Sequence, residues 1–282
     1  RRFPQLDAAI LFSDILVIPE ALGVGYRFRD EGGIAMERAL SSPADVATLK
    51  LEGSADRLQY VYDALALLRK ELGLNKTLLG FAGSPWTLAC YLVEGGGSET
   101  FPKTKALLKA DPKMMHRILE ILTDAVAQYL TRQFAAGADA IQIFDSWAAA
   151  LTGADYEEFS LRYIRAVLER LPAGAPVILY AKGKSPQAAA LAQTGVPCLG
   201  VDWTMPLSHV RKLAGRPICL QGNLDPEFMT GEPAAAAAAT QAVLADNAGD
   251  PGHIFNLGHG ITPQARIETF QAVVDAVVAS GV

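Results

Sequence analysis

The sequence predicts an α/β fold of the (β/α)8 TIM-barrel kind. Short, continuously apolar runs bounded by polar residues recur along the chain, and each reads as a strand buried on both faces. Helical stretches separate these runs, which implies parallel pairing through right-handed crossovers. Polar residues gather just past the carboxyl ends of the strands, where barrel enzymes build their sites, and no such set marks the amino ends. With 282 residues, half of them hydrophobic, the chain can bury a large core. Its length is near the ~250 residues typical of one barrel, so residues 1–282 are read as a single domain.

The first run, Ala8 to Phe12, stops at Ser13 and Asp14, and a second apolar stretch ends at Pro19. Ser13 or Asp14 can cap whatever follows, but recurrence of the same pattern favours a site. Ser42 before Pro43, with Asp45 three positions after the serine, marks a capped helix start. A helix over about 55–72 carries Leu58, Val61, Tyr62, Leu65, Leu68 and Leu72 on one face. Thr77 to Ala82 is a second strand, left through Gly83, Ser84 and Pro85. The helical region beyond is interrupted at Glu94 to Ser98. Its three glycines lack the G-K-[ST] ending of a phosphate loop and read as a flexible or close-approach turn. Asp111 and Pro112 then start a long amphipathic helix that Gly137 stops.

From there the alternation is regular. DAIQIFDSW, APVILYAKG, CLGVDW, RPICLQGN and HIFNLGHG are strands with polar exits. Between them lie a helix over about 156–171, a short alanine-rich helix ending near Gly195, one over about 206–214, and an alanine-rich stretch read as a surface helix. A final helix covers about 263–279. The strands number seven, ending near Phe12, Ala82, Phe144, Ala181, Asp202, Gly222 and Leu257, whereas a closed barrel has eight. The chain opens only a few residues before a strand, so the missing βα unit is expected to be the first, at the amino end. A doubly wound sheet would require a glycine fingerprint after the first strand. Gly23-Val24-Gly25 comes too late and lacks the third glycine.

A net charge of −5 without a basic cluster argues against nucleic acid as a partner. No run of ~18 uncharged apolar residues offers a membrane span, and the opening RRFPQLD lacks a signal-peptide core; the protein is expected in the cytoplasm. Cys90, Cys198 and Cys219 are odd in number and sit in apolar or strand-like surroundings, as buried thiols in a reducing compartment would. Neither they nor His116, His209, His253 and His259 show metal-ligand spacing, so no metal is expected.

The strand exits supply Asp14, Ser84, Asp145, Ser146, Lys182, Asp202, Trp203, Gln221, Asn223, Asn256 and His259. Asp145 and Ser146 can equally cap the next segment, and Asp202 and Asn223 can be turn residues bonding their own backbone. Lys182 is a Schiff-base lysine or a surface lysine. His259, between two glycines at a strand end, is the least easily explained by packing. Tyr91, beside Leu88 and Leu92 in a helix, reads by pattern as core. A Ser-His-Asp set can be spelled from these residues, but no G-x-S-x-G elbow exposes the serine. The pattern supports a barrel enzyme acting on a ligand with acid, hydroxyl and imidazole groups, without metal or nucleotide, and does not name the reaction.

The wording of the strand exits goes further. FSDILVIPEALG, GFAGSPWTLACYLVEGGGS, IQIFDSWAAAL, VDWT, LQGNLDP and NLGHGITP together resemble the uroporphyrinogen decarboxylase family over essentially the whole chain. The resemblance implies a homodimeric (β/α)8 carboxy-lyase of haem biosynthesis that needs no cofactor and converts the four acetate arms of uroporphyrinogen to methyl groups. It implies that Asp14, in FSDIL, meets the pyrrole N–H groups at the macrocycle centre. Tyr91, Ser146 and His259 would contact the substrate's carboxylate arms, and Phe144 would line the cleft. Carbon dioxide leaves an acetate arm readily only if the electrons left behind have a sink, here a pyrrole protonated on ring carbon. An ionised Asp14 facing the ring nitrogens would stabilise that cation as it forms. The family's amino-terminal R-Q-A-G-R-Y type motif, whose arginines bind substrate carboxylates, has no match here, and Arg1 and Arg2 do not fit it. Arg27, Arg29, Lys182 and Lys184 are the remaining basic candidates. Two other classes stay open: the related corrinoid-linked methyltransferases, which use a zinc-bound thiolate, and a tetrapyrrole-binding scaffold without turnover.

Overall fold

The apolar runs fold as strands and the stretches between them as helices. The computed structural model describes residues 2–30, 32–247, 249–250 and 252–281, so Arg1 lies outside the described residues. Contacts divide the chain into two units, one of Ile10–Ala175 and one of Arg1–Ala9 with Pro176–Val282. We call them the amino and carboxy units.

Strand β1 (Ala8–Ile10) leads into the amino unit, where the Leu11 N–H donates to the Leu79 carbonyl at 3.1 Å. Helix α1 (Val17–Ala21) follows, burying Val17, Ile18, Pro19 and Ala21. Next, β2 (Tyr26–Phe28) and β3 (Ile34–Met36) pair as an antiparallel hairpin. This hairpin is absent from the sequence expectations because strands of three residues are too short to display a period of two. Helix α2 (Pro43–Ala47) has the predicted capping box, Ser42 and Asp45 bonding reciprocally. The predicted 55–72 helix begins as a single 3-10 turn at Asp56–Leu58 and continues as α3 (Gln59–Leu72), burying Val61, Tyr62 and Leu65.

Strand β4 (Thr77–Gly83) is followed by α4 (Pro85–Glu94), α5 (Pro102–Ala110) and α6 (Pro112–Ala135), the last capped by the Asp111 side chain accepting from the Met114 N–H. Strand β5 (Ala140–Asp145) pairs parallel with β4, Leu79 opposite Ala140 and Gly83 opposite Phe144. Gln133 of α6 bonds both the N–H and the carbonyl of Phe81, at 2.9 and 3.0 Å. A Cβ on Gly80 would stand 2.1 Å from the Gln133 oxygen, so glycine is required for that approach. The predicted 156–171 helix is broken into α7 (Ala154–Tyr156), a π turn (Glu157–Leu161) and α8 (Arg162–Leu168). The wider turn carries Ser160, whose hydroxyl donates to Asp145 at 2.6 Å, the kind of local demand that π turns serve.

In the carboxy unit β6 (Val177–Ala181), α9 (Ala188–Ala192), β7 (Cys198–Gly200), α10 (Leu207–Ala214), β8 (Cys219–Leu224), α11 (Pro233–Asp246), β9 (His253–Leu257) and α12 (Ile267–Ala279) follow in turn. The strands pair parallel in the order β6, β7, β8, β9, as βαβ crossovers require. The alanine-rich α11 buries only Ala236 and Thr240. Its inner edge packs with Leu224, Met229 and Val273, close to Phe255 and Phe270. The last helix starts at Ile267 rather than near Pro263. The reason is that the Arg266 N–H donates to the Met229 carbonyl while its guanidinium bridges Glu232 and Glu268, which holds residue 266 in an extended conformation.

Candidate functional site

In the amino unit the exit of β1 delivers Asp14, half-buried. Its Oδ1 accepts from the Leu16 N–H at 2.8 Å, so it does turn the chain toward α1. Among the described residues that is the one hydrogen bond to the Asp14 side chain, and Oδ2 keeps its accepting capacity. Tyr91, on α4, is half-exposed between the fully buried Cys90 and Leu92; the core reading holds for its neighbours and fails for its own ring. Burial raises the Tyr91 pKa first and the Asp14 charge adds to the rise, while the approach of Trp147 offsets it in part. No geometrically sound bond accompanies that approach, since Trp147 Nε1 is buried and unpartnered. The Tyr91 and Trp147 rings lie 5.9 Å apart. Tyr26 of β2 is pushed up to about 12 by burial, with Asp14 the next cause. Two phenols that hold their protons thus lie within the field of one carboxylate.

Phe144 stands edge-on to Phe81, with ring centroids 5.6 Å apart, and Phe81 in turn lies 6.2 Å from Phe12, which is 81% exposed. An aromatic row therefore runs across the exits of β1, β4 and β5. Phe12 was not singled out by sequence, because the last apolar residue of a strand looks like core. Ser146 follows Asp145 and is partly exposed. Asp145 itself is fully buried and accepts from the hydroxyls of Ser84 at 2.7 Å, Thr87 at 3.1 Å and Ser160 at 2.6 Å. Ser84, also fully buried, caps α4 by accepting from the Thr87 N–H at 3.0 Å. Ser84 and Asp145 thus tie β4, α4, β5 and the π turn together. Ser146 and Trp147, just beyond, are held by that knot: the Trp147 N–H donates to Thr87 Oγ1 and its carbonyl accepts from Trp86 Nε1 at 3.0 Å. The triple-glycine turn is of the close-approach kind, since a Cβ on Gly96 would stand 2.6 Å from the Ile34 carbonyl oxygen.

In the carboxy unit His259 follows β9. Its ring is nearly parallel to Tyr180, at 5.8 Å and 9°, and lies 6.4 Å from Trp203. The Tyr180 hydroxyl donates to the Gly258 carbonyl at 3.0 Å and lies 3.3 Å from His259 Nδ1. With that hydroxyl hydrogen committed, the network assigns the imidazole proton to Nδ1 and leaves Nε2 to accept. The residue as a whole is exposed, but crowding by its neighbours lowers its pKa, Lys182 lowers it further, and Asp202 works the other way. His259 is therefore neutral at neutral pH. Asp202 accepts from the Gly183 N–H at 2.7 Å and the Thr204 N–H at 3.1 Å, and Asn223 donates to the carbonyls of Asp202 and Met205 at 2.9 and 2.7 Å. These two residues staple loops, Asp202 partly within its own turn and Asn223 across to another. Lys184 is 4% exposed and drops out as a surface cation. Lys182 is partly exposed, and Arg27 lies exposed on β2.

Among the described residues no group of three or more His, Cys, Asp or Glu converges as a metal site, and no helix is long and apolar enough to cross a membrane. Surface hollows of about 480 and 1020 Å³ are lined by helix and strand-start residues, so the candidate site is located by its polar side chains rather than by hollow size.

Parallel strands joined by helices, with Asp14 and Ser146 past strand exits in the amino unit and the neutral His259 past one in the carboxy unit, define an α/β protein consistent with a TIM-barrel-like fold. In fold it is similar to a methyltransferase from Methanosarcina mazei, with a TM-score of 0.80 and 21% identity over 98% of this chain and 81% of that one. The chain belongs to the uroporphyrinogen decarboxylase family, whose model, described as Uroporphyrinogen decarboxylase (URO-D), matches residues 1–279. It is 46% identical to the uroporphyrinogen decarboxylase of Pseudomonas aeruginosa, over 93% of this chain and 76% of that protein. It is 49% identical to that of Ralstonia nicotianae, over 98% and 79%.

Proposed function

We propose that this chain is a carboxy-lyase that removes carbon dioxide from the four acetate arms of uroporphyrinogen, giving coproporphyrinogen in porphyrin and haem biosynthesis. The observation that carries this reading is the 46–49% identity to uroporphyrinogen decarboxylases across 93–98% of the chain. Asp14 is the proposed catalytic residue. Its uncommitted Oδ2 suits pyrrole N–H donors, and a fixed carboxylate opposite a ring that becomes cationic acts where charge develops. The phenol of Tyr91 and the hydroxyl of Ser146 donate to substrate carboxylates, and Phe144 gives an apolar wall to the macrocycle. His259, neutral and presenting Nε2 as acceptor, binds an arm in its protonated state or through water. No cofactor enters this scheme. Residues 1–282 are read as one domain of the (β/α)8 TIM-barrel kind. The working form is read as a cytoplasmic homodimer.

The test is anaerobic incubation with uroporphyrinogen, followed by oxidation and chromatographic separation of the porphyrins by carboxyl number. Stepwise conversion from eight to four carboxyls is expected. Tight binding with unchanged substrate would replace this reading with a tetrapyrrole carrier.

A further inference from the structure

The carboxy unit holds a feature the decarboxylation scheme does not use. Cys198 and Cys219 are the first residues of β7 and β8 and stand directly opposite each other in the parallel register. Opposed residues on neighbouring strands share a face. Adjacent strands run about 4.8 Å apart, which falls within the roughly 4.4–6.8 Å spanned by the Cα atoms of a disulfide. Cys198 is buried, whereas Cys219 is half-buried and lines an open groove of about 1020 Å³ whose charged residues are Arg211, Lys212, Arg216, Asp246 and Asp250. Arg211 is fixed there by Asp250 at 2.9 Å and by donating to the Ile218 carbonyl at 2.7 Å.

We propose that Cys219 and Cys198 form a peroxide-responsive dithiol, Cys219 being the sulfur that meets the oxidant from the groove and Cys198 the resolving thiol behind it. In the first step the Cys219 thiolate attacks hydrogen peroxide. An S–O bond forms, the O–O bond breaks, and hydroxide leaves to be protonated to water. In the second step Cys198, having lost its proton, attacks the sulfenic sulfur. The S–S bond forms, the S–O bond breaks and a second water departs. Two thiols and one peroxide thus become one disulfide and two waters.

The electrostatics point the same way. The neighbouring Cys198 is the largest cause that holds the Cys219 thiol below its usual pKa, and Arg211 adds to that against burial and Asp250; Cys198 itself is raised. An accessible thiol with a lowered pKa beside a guanidinium is the reactive kind. Cys90, fully buried in α4 with its pKa raised by burial, is the inert kind. With Cys219 half-buried at the groove, the disulfide is within reach of thiol reductants.

The experiment uses the full chain, reduced and then exposed to graded hydrogen peroxide, with remaining thiols blocked before digestion and mass mapping. At low dose the peptides carrying Cys198 and Cys219 should become linked while Cys90 is recovered blocked. Cys219 should be consumed at least about tenfold faster than Cys90, and dithiothreitol should restore both thiols. Cys198→Ser should accumulate a dimedone-reactive sulfenic acid on Cys219, and Cys219→Ser should leave Cys198 unoxidised at the same dose. Equal reactivity of Cys219 and Cys90, or linkage between molecules instead of within one, would overturn the proposal, and both are read on the unaltered chain.

Discussion

Asp14 and Asp145 both lie in the amino unit at strand exits and are alike by pattern, an acid after an apolar run. In the structure they are opposites. Asp145 is fully buried and answered by three hydroxyls brought from β4, α4 and the π turn, whereas Asp14 is half-buried and commits one oxygen to one backbone N–H. A carboxylate whose lone pairs are filled by its own protein stabilises a fold; one left with accepting capacity beside aromatic rings is available to a ligand. The same criterion separates Asp202, bonded from both oxygens within its loops, from His259, which keeps Nε2 open.

The comparison breaks most directly at Asp145. Replacing it with alanine strands three buried hydroxyls, each costing about 1–3 kcal/mol when unanswered. Asp145→Ala should therefore lose at least roughly 3 kcal/mol of stability, read by urea unfolding, while Asp14→Ala loses about 1 kcal/mol. Similar losses at the two positions would erase the distinction. Activity should invert the order. In Asp14→Ala, kcat should fall by about 100- to 1000-fold, as when a preorganised charge partner is removed, with the unfolding midpoint nearly unchanged.

Smaller effects sharpen the picture around these acids. Tyr91→Phe and Ser146→Ala each remove one donor to a substrate arm, so KM should rise by about five- to tenfold with kcat changed less than about threefold. Steady-state kinetics that instead showed a kcat loss matching Asp14→Ala would make Tyr91 the better candidate for moving the proton. The smallest effect concerns His259. Its NMR titration should lie below 6.5, and Lys182→Met should raise it without reaching 6.5, because burial is the larger cause. The fold disfavours the imidazolium, so this group's contribution to stability is full above about 6.5 and declines as pH falls from there toward the folded-state pKa. A titration at or above 6.5 in the unaltered chain would contradict the placement beside Tyr180 and Lys182.

Much of this is legible in the sequence, for identifiable reasons. Strands buried on both faces and capped helices announce themselves over a few adjacent residues. The Ser42–Asp45 box and the Asp111 cap accordingly stand where the sequence places them. The β2–β3 hairpin and the π turn were not legible, since the first is too short for a period and the second answers a partner fifteen residues away. Tyr91 is the mixed case. Helical spacing assigns it to the core, and only the wording of the strand exits marks it as a site residue, because a ring that is half-exposed has the same spacing as one that is covered.

By itself the sequence determined the alternation of strands and helices and the short set of polar residues at the strand exits, because local propensity and periodicity act between near neighbours. Tertiary structure alone decided which of those residues remain available. The hydroxyls that satisfy Asp145 come from Ser84 and Thr87, 61 and 58 positions away, and Cys198 meets Cys219 only through strand register. Whether a polar atom is answered depends on partners far along the chain, and a pattern read over a few residues carries no record of them.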